Sequence, residues 1–307
     1  MKSKKLIVVV GPTAIGKTRL AISLAQHFNT QIISSDSRQF FKEMKIGTAV
    51  PSEEELAAAP HHFIQHISIQ ESYSVGDFEK EALRVLDKVF ANNDYAILVG
   101  GSGLYTDAIV HGLDEFPDVP SNIREELNAI LQNKGIEILQ KELFETDPVY
   151  YQKVDLMNPH RVIRALEIVR ATGKPFSSFL KKDAALRPFD AIYVGITAER
   201  ETIYDRINLR VDEMMKHGLL EEVKSLQAHS ALNALQTVGY KEIFRFLDGK
   251  ITLDFAVSEI KKNTRRFAKR QLTWLRKNPD ILWVEHTASS KDIISQVHSK
   301  LQNLDEK

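Results

Sequence analysis

The 307-residue sequence contains no cysteine, which removes disulfides, thiolate metal sites and a thiol nucleophile at once. It also lacks net charge. Forty-one Lys plus Arg balance 41 Asp plus Glu, so global charge argues neither for nor against a polyanionic partner. No apolar stretch approaches the roughly 20 residues of a membrane-spanning helix, and the longest opening run, residues 6–10, has the length of a strand. Residues 1–5 are basic but lead into no signal-peptide apolar region or small-residue cleavage site, so the expected location is the cytoplasm. Internal repeats and low-complexity segments are missing too. What is there, 43% hydrophobic and 27% charged, is a globular composition with length enough for about two domains.

The most informative segment follows that first apolar run. Gly11-Pro12-Thr13-Ala14-Ile15-Gly16-Lys17-Thr18 is a complete G-x-x-x-x-G-K-[ST] phosphate loop. A buried strand feeding such a loop turns backbone N–H groups onto phosphate oxygens. Lys17 adds a point charge, and the Thr18 hydroxyl opens a helix where it reaches a Mg²⁺ ion. The motif predicts a site for a di- or triphosphate with Mg²⁺ as cofactor.

Five short runs rich in Ile, Val or Leu (6–10, 31–34, 96–99, 191–196 and 281–284) alternate with helical patterns. That order predicts an α/β fold, a parallel sheet of P-loop NTPase type flanked by helices. More than 90 residues separate the third run from the fourth, far beyond a crossover helix. Residues 114–188 are therefore expected to form an inserted all-helical module, interrupting a core made of 1–113 and 189–307. Inside it, Asn158 and Pro159 have the chemistry of an N-cap and a first helical residue, placing Arg161 and Arg164 about one turn apart.

Other segments carry chemistry less uniquely. The second run ends in Ser34-Ser35-Asp36-Ser37. Ligands of open parallel sheets lie at the carboxyl ends of strands, so Asp36 is expected beside the phosphate loop, as an indirect Mg²⁺ ligand or as a general base. The third run ends in Gly100-Gly101-Ser102-Gly103, where glycines let the chain pass close to a ligand or to another backbone. His61, His62 and His66 lack a carboxylate or thiolate at ligand spacing and are expected to be ordinary hydrogen-bonded histidines. Residues 261–277 hold eight cations and no acid: Lys261, Lys262, Arg265, Arg266, Lys269, Arg270, Arg276 and Lys277. Ala268, Leu272 and Leu275 give this stretch an apolar stripe at helical spacing. The cations then make a polyanion-binding face on a neutral protein.

Together these segments resemble the tRNA dimethylallyltransferases, also called tRNA isopentenyltransferases. The resemblance runs nearly the whole length. It rests on the phosphate loop, Ser35-Asp36-Ser37-Arg38-Gln39, Met44-Lys45-Ile46-Gly47-Thr48-Ala49, Pro60-His61-His62 and Tyr73-Ser74-Val75-Gly76-Asp77-Phe78. It continues through Val99-Gly100-Gly101-Ser102-Gly103-Leu104-Tyr105, Arg161-Val162-Ile163-Arg164-Ala165-Leu166-Glu167, Val238-Gly239-Tyr240-Lys241-Glu242 and Thr264-Arg265-Arg266-Phe267-Ala268-Lys269-Arg270-Gln271-Leu272-Thr273-Trp274.

The resemblance implies transfer of a dimethylallyl group from its diphosphate to N6 of the adenosine 3′ to the anticodon, giving N6-isopentenyladenosine. The exocyclic amine of adenine is a poor nucleophile and needs a base, for which Asp36 is available. The phosphate loop with Lys17, Thr18 and Mg²⁺ holds the leaving diphosphate, and the resemblance adds Thr13 and Arg210 to that clamp. It further implies that Asp36, Ser37, Arg38, Gln39, Arg161, Arg164, Gln236, Val238, Gly239, Tyr240, Lys241, Arg266, Lys269 and Arg270 contact the anticodon stem-loop, with Ser102 beside a base flipped out of the loop. The partners implied are tRNA and dimethylallyl diphosphate, and the protein is expected to be a monomer. Departures from the family pattern are Ser102 for threonine, Phe41 and Phe267 for tyrosines, Val50 for lysine and Asn158 for aspartate. Two other readings stay open: a P-loop small-molecule kinase, which leaves the basic stripe unexplained, and an adenylate isopentenyltransferase, which leaves the inserted module unexplained.

Overall fold

The structure, a computed structural model, describes residues 3–180 and 185–305. Residues 1, 2, 181–184, 306 and 307, which fall within the expected core and module, lie outside the described residues. The chain forms two compact units, one of residues Gly112–Ala185 and one of the segments on either side.

The larger unit begins with β1 (Lys4–Val10), α1 (Lys17–His27), β2 (Ile32–Ser34), α2 (Glu53–Ala58), β3 (His61–His62), α3 (Val75–Asn92), β4 (Tyr95–Val99) and α4 (Gly103–His111). In the smaller unit follow α5 (Ser121–Lys134), α6 (Ile136–Thr146), α7 (Pro148–Tyr151) and α8 (Pro159–Thr172). The chain then returns through β5 (Phe189–Thr197), α9 (Arg200–Lys216), α10 (Leu219–Ser225), α11 (Tyr240–Leu247), α12 (Leu253–Leu275), β6 (Leu282–Glu285) and α13 (Ser290–Asp305). All strand pairs are parallel, in the order β3-β2-β4-β1-β5-β6.

Strand β1 shows why its apolar run is unbroken. Leu6, Val8 and Val10 point into one core with Phe78, Ala82 and Leu86 of α3, while Ile7 and Val9 point into another with Leu20, Ala21 and Leu24 of α1. A central parallel strand is buried on both faces, so both alternate sets must be apolar. Only β3 among the strands departs from the expected set. It is two residues long, polar, and pairs Ile32 with His61 and Ile33 with His62 at the sheet edge. Two residues hold no readable periodicity.

The smaller unit has helices and no strand among its described residues and closes on Leu127, Leu139, Leu143, Val162, Leu166 and Phe176. Asn158 caps α8, its Oδ1 accepting from the Arg161 N–H at 3.3 Å, with Pro159 in the first turn. This unit is dense in ion pairs. Glu167, 2% exposed, takes Arg124 and, at 3.3 Å, Arg164, while Arg170 makes two 2.7 Å bonds to Glu142.

Candidate functional site

A cavity of about 340 Å³ opens at the carboxyl ends of the strands in the larger unit. Thr13 to Thr18 form one wall, Ser34 and Asp36 at the end of β2 a second, Thr48 to Pro51 a third, with Glu55, His61 and Arg210 between them. The loop is held in shape by glycine where side chains do not fit. Gly16 has φ +107°, and a Cβ on Gly11, at φ +148°, would stand 2.8 Å from the Ile196 carbonyl oxygen.

Lys17 folds back on its own loop, Nζ donating to the carbonyls of Gly11 at 3.0 Å and Pro12 at 2.9 Å. Burial lowers its pKa to about 8; Asp36 opposes that shift and Arg210 adds to it. Arg210 is lowered too, by burial first and by Arg206 second. Its Nη1 lies 3.5 Å from the Thr13 hydroxyl, while Arg206 donates to the Ala14 carbonyl at 2.8 Å. Two cations stripped of water beside a loop of inward N–H groups are unfavourable alone and favourable around an anion. Thr18 lines the same cavity, its hydroxyl without a hydrogen-bond partner among the described residues.

Asp36 turns its carboxylate onto its own backbone, accepting from the Arg38 N–H at 3.1 Å. Its neighbour Ser37 meets Ser102 twice, hydroxyl to hydroxyl at 3.1 Å and backbone N–H to Ser102 Oγ at 3.3 Å. Gln39 donates to the carbonyls of Thr48 and Ala49 at 3.1 and 3.0 Å, fixing the third cavity wall. Glu222 of α10 anchors the same wall. Its carboxylate accepts from the backbone N–H groups of Lys45, Ile46 and Gly47 at 2.7–3.0 Å and from the Tyr240 hydroxyl at 2.6 Å.

Tyr240, which the resemblance places among the tRNA contacts, gives its hydroxyl to that bond inside the protein. Tyr240 is wholly buried, and burial together with Glu222 raises its pKa, so the ring supports the wall from beneath. Gly239 is buried beside it, Val238 is half-buried, and Gln236 and Lys241 are exposed. Arg38 is likewise turned inward, its Nη1 donating to the carbonyls of Asn233 and Ala234 at 3.1 and 3.0 Å. Arg161 and Arg164 belong to the smaller unit, where Arg161 is exposed and Arg164 pairs with Glu167 and lies 5.3 Å from the Phe116 ring centre.

The basic stripe on α12 divides. Lys261 is bound to Asp212 at 2.6 Å and Arg265 to Asn208 at 2.7 Å, tying α12 to α9, while Lys262 pairs at 2.8 Å with Glu259 of its own helix. Arg266, Lys269 and Arg270 are exposed, Arg270 lying over Phe267 at 5.7 Å. Of the unusual family positions, Phe41 is buried, Phe267 is exposed and Val50 lines the cavity.

Sequence reasoning gave no site role to three residues here, His61 having been read as an ordinary hydrogen-bonded histidine. His61 Nδ1 donates to the Ala59 carbonyl at 2.8 Å, which makes Nε2 the acceptor of a neutral ring; Nε2 is buried without a partner among the described residues. Burial lowers the His61 pKa, and the ring lines the cavity. Glu55 is the second, at the cavity rim in α2. Gln271 is the third, 7% exposed on α12, accepting from the Thr13 N–H and donating to the Gly101 carbonyl, each at 2.9 Å. The glycines of the β4–α4 turn answer to neighbours inside the protein. A Cβ on Gly100 would overlap Ser35, one on Gly101 would overlap Gln271, and one on Gly103 would stand 2.7 Å from Trp274.

A family model described as IPP transferase matches residues 39–278. A tRNA dimethylallyltransferase of Christiangramia forsetii is 60% identical over 97% of this chain and 99% of its own length. One from Flavobacterium johnsoniae is 54% identical over 98% and 99%. Among solved structures, the full-length tRNA isopentenylpyrophosphate transferase of Bacillus halodurans is similar with a TM-score of 0.73 at 36% identity, covering 99% of this chain and 97% of that one. A eukaryotic dimethylallyltransferase acting on tRNA gives a TM-score of 0.82 at 28% identity, covering 98% and 80%.

Proposed function

Because this chain belongs to the IPP transferase family, whose similar members are tRNA dimethylallyltransferases, we propose that it transfers the dimethylallyl group of dimethylallyl diphosphate to N6 of the adenosine 3′ to the anticodon. The observation that carries this reading is the joining of Asp36 to Lys17, Thr18 and Arg210 in one cavity. An alkyl transfer to a weak amine nucleophile needs such a carboxylate facing the cations. A kinase can use one too, but leaves the exposed Arg266, Lys269 and Arg270 without a task.

In this reading the N6–C1 bond forms as the C1–O bond to the diphosphate breaks. The N6 proton passes to Asp36, and the two electrons of the C1–O bond leave with the diphosphate. Lys17 and Arg210 receive the charge that accumulates on the leaving oxygens, and the stripped state of both cations makes that charge more strongly felt there. The loop N–H groups and the Thr13 hydroxyl complete the clamp. The alkyl chain is left the apolar side of the cavity, where Val50, Pro51 and Ile64 stand.

The described residues offer no cluster of three or more His, Asp, Glu or Cys for a metal. The hydroxyl of Thr18 and the carboxylate of Asp36 are hard oxygen donors on the cavity, a set that suits Mg²⁺ held mainly through diphosphate oxygens and water. Bound there, Mg²⁺ would neutralise part of the diphosphate charge. The exposed cations Arg266, Lys269, Arg270 and Lys241, with Arg161 in the smaller unit, supply contacts to the anticodon stem-loop, and Ser37 and Ser102 flank the flipped adenine. Residues 112–185 act as a tRNA-holding insertion, and the enzyme works as a cytoplasmic monomer.

The decisive experiment incubates the protein with labelled dimethylallyl diphosphate and Mg²⁺ plus either unmodified tRNA or AMP. Label is expected in tRNA alone. Label in AMP alone, or in neither acceptor, overturns the reading in favour of an adenylate isopentenyltransferase or a small-molecule kinase.

A further inference from the structure

Helix α12 has two faces with different tasks. One exposes Arg266, Lys269 and Arg270 to solvent. The other buries Gln271, whose single amide reaches two loops that are far apart in sequence. Through Thr13 it holds the phosphate loop at the residue whose hydroxyl faces Arg210. Through Gly101 it holds the β4–α4 turn between Gly100, which lines the cavity, and Ser102, which is bonded to the neighbour of Asp36. Oε1 is filled by an N–H and Nε2 by a carbonyl, so the amide orientation is fixed by chemistry. Glutamate there would keep the Thr13 bond but set a lone pair against the Gly101 carbonyl. Methionine would fill the space and make neither bond. Gly101 has no room for a Cβ beneath it, which marks the approach of helix and turn as tight.

We propose that Gln271 is a positioning residue that couples RNA seated on α12 to the diphosphate loop. It rests on the reading given above, in which α12 takes tRNA and the cavity takes the diphosphate. RNA drawn onto the exposed cations fixes the helix. Because the amide is bonded at both ends, fixing the helix also fixes Thr13 and Gly101 in their ligand-ready positions. The loop then binds diphosphate without ordering itself first. By reciprocity, diphosphate in the cavity tightens RNA by the same factor.

The test measures the dissociation constant of inorganic diphosphate with Mg²⁺ by calorimetry, alone and with a saturating anticodon stem-loop RNA, on the full chain. In the unaltered protein RNA is expected to tighten diphosphate by about fivefold or more. In Gln271→Met that factor falls to about one, while each separate affinity falls by less than the lost factor. In Gln271→Glu, which keeps one bond and nearly the same shape, the factor drops by about threefold or more, so the question survives a failure of the methionine variant to fold. A residue that merely supported the fold would lower both affinities and leave the coupling factor untouched. A factor of one in the unaltered protein, or an unchanged factor in a folded variant, overturns the proposal. Absence of any RNA or diphosphate binding in the unaltered protein overturns the underlying reading as well, so the two failures are distinct.

Discussion

The cations of the cavity and those of the smaller unit face opposite circumstances. Lys17 and Arg210 are desolvated and make no ion pair with a carboxylate among the described residues, and their pKa values are lowered. Arg124 and Arg170 are bound to Glu167 and Glu142, and theirs are raised. The second pattern is structural: a helical unit with a small core uses paired charges to join its helices. The first is the signature of a site awaiting an anion, because a buried cation without a partner persists only where something else requires it. What separates the two regions is which cations are already satisfied, not how many arginines each holds.

The sharpest way to break the comparison is at the opposing carboxylate. Asp36→Asn keeps the shape of the cavity and removes the base. Single-turnover transfer is expected to fall about 10²- to 10⁴-fold while filter-binding of tRNA persists; undiminished turnover would remove Asp36 as the base. Lys17→Met should cost about 10²-fold in kcat/KM for dimethylallyl diphosphate through loss of a transition-state contact, with a melting temperature equal to or above that of the parent because a stripped charge is relieved. A clear fall in melting temperature would place Lys17 with the structural cations. Glu167→Gln should do the reverse. Urea denaturation is expected to show about 1–2 kcal/mol of lost stability, with the rate of transfer at saturating substrates changed less than in either site variant. A large loss of rate with unchanged stability would bring the smaller unit's ion pairs into the site.

Titration gives the smallest and most specific contrast. Lys17 must be protonated to hold diphosphate, so affinity for inorganic diphosphate is expected to fall as pH rises through about 8. Lys17→Met should flatten that slope. The sign for stability is opposite. Between about 8 and the ordinary value of 10.5 the folded chain holds fewer protons at Lys17 than the unfolded chain, so this group's contribution to stability grows with pH and is lost as pH falls through about 8. Arg124 and Arg170, already raised above the usual arginine value, should add no pH dependence in that window. Isothermal titration at pH 7, 8 and 9 checks the set.

Where the signal was local, the sequence carried it. Strand β1, the phosphate loop and α1 occupy consecutive residues, and an apolar run feeding an eight-residue motif leaves little freedom in where Lys17 and Thr18 lie. Asp36 followed from the rule that strand ends face ligands, and it does line the cavity. The misses share a cause in distance along the chain. Gln271 meets Thr13 and Gly101 across 258 and 170 residues, and no spacing within α12 foretells either bond. Tyr240 sat in a motif that names letters without naming faces, and Glu222, which accepts its hydroxyl, is 18 residues away on another helix. The basic stripe was overcounted because Asp212 and Asn208, which occupy Lys261 and Arg265, come from α9. Glu259, three residues before Lys262, was within view.

The two-residue strand β3 has a consequence for how the cavity behaves in time. Among the described residues its only ladder partner is β2, whereas β1 is bonded along both edges. Backbone protons of 6–10 should therefore be among the last in the molecule to exchange with deuterated solvent, and those around His61 among the first. The cavity therefore has, in the phosphate loop that follows β1, a part that opens only with global unfolding and, at His61, a part that opens by fraying.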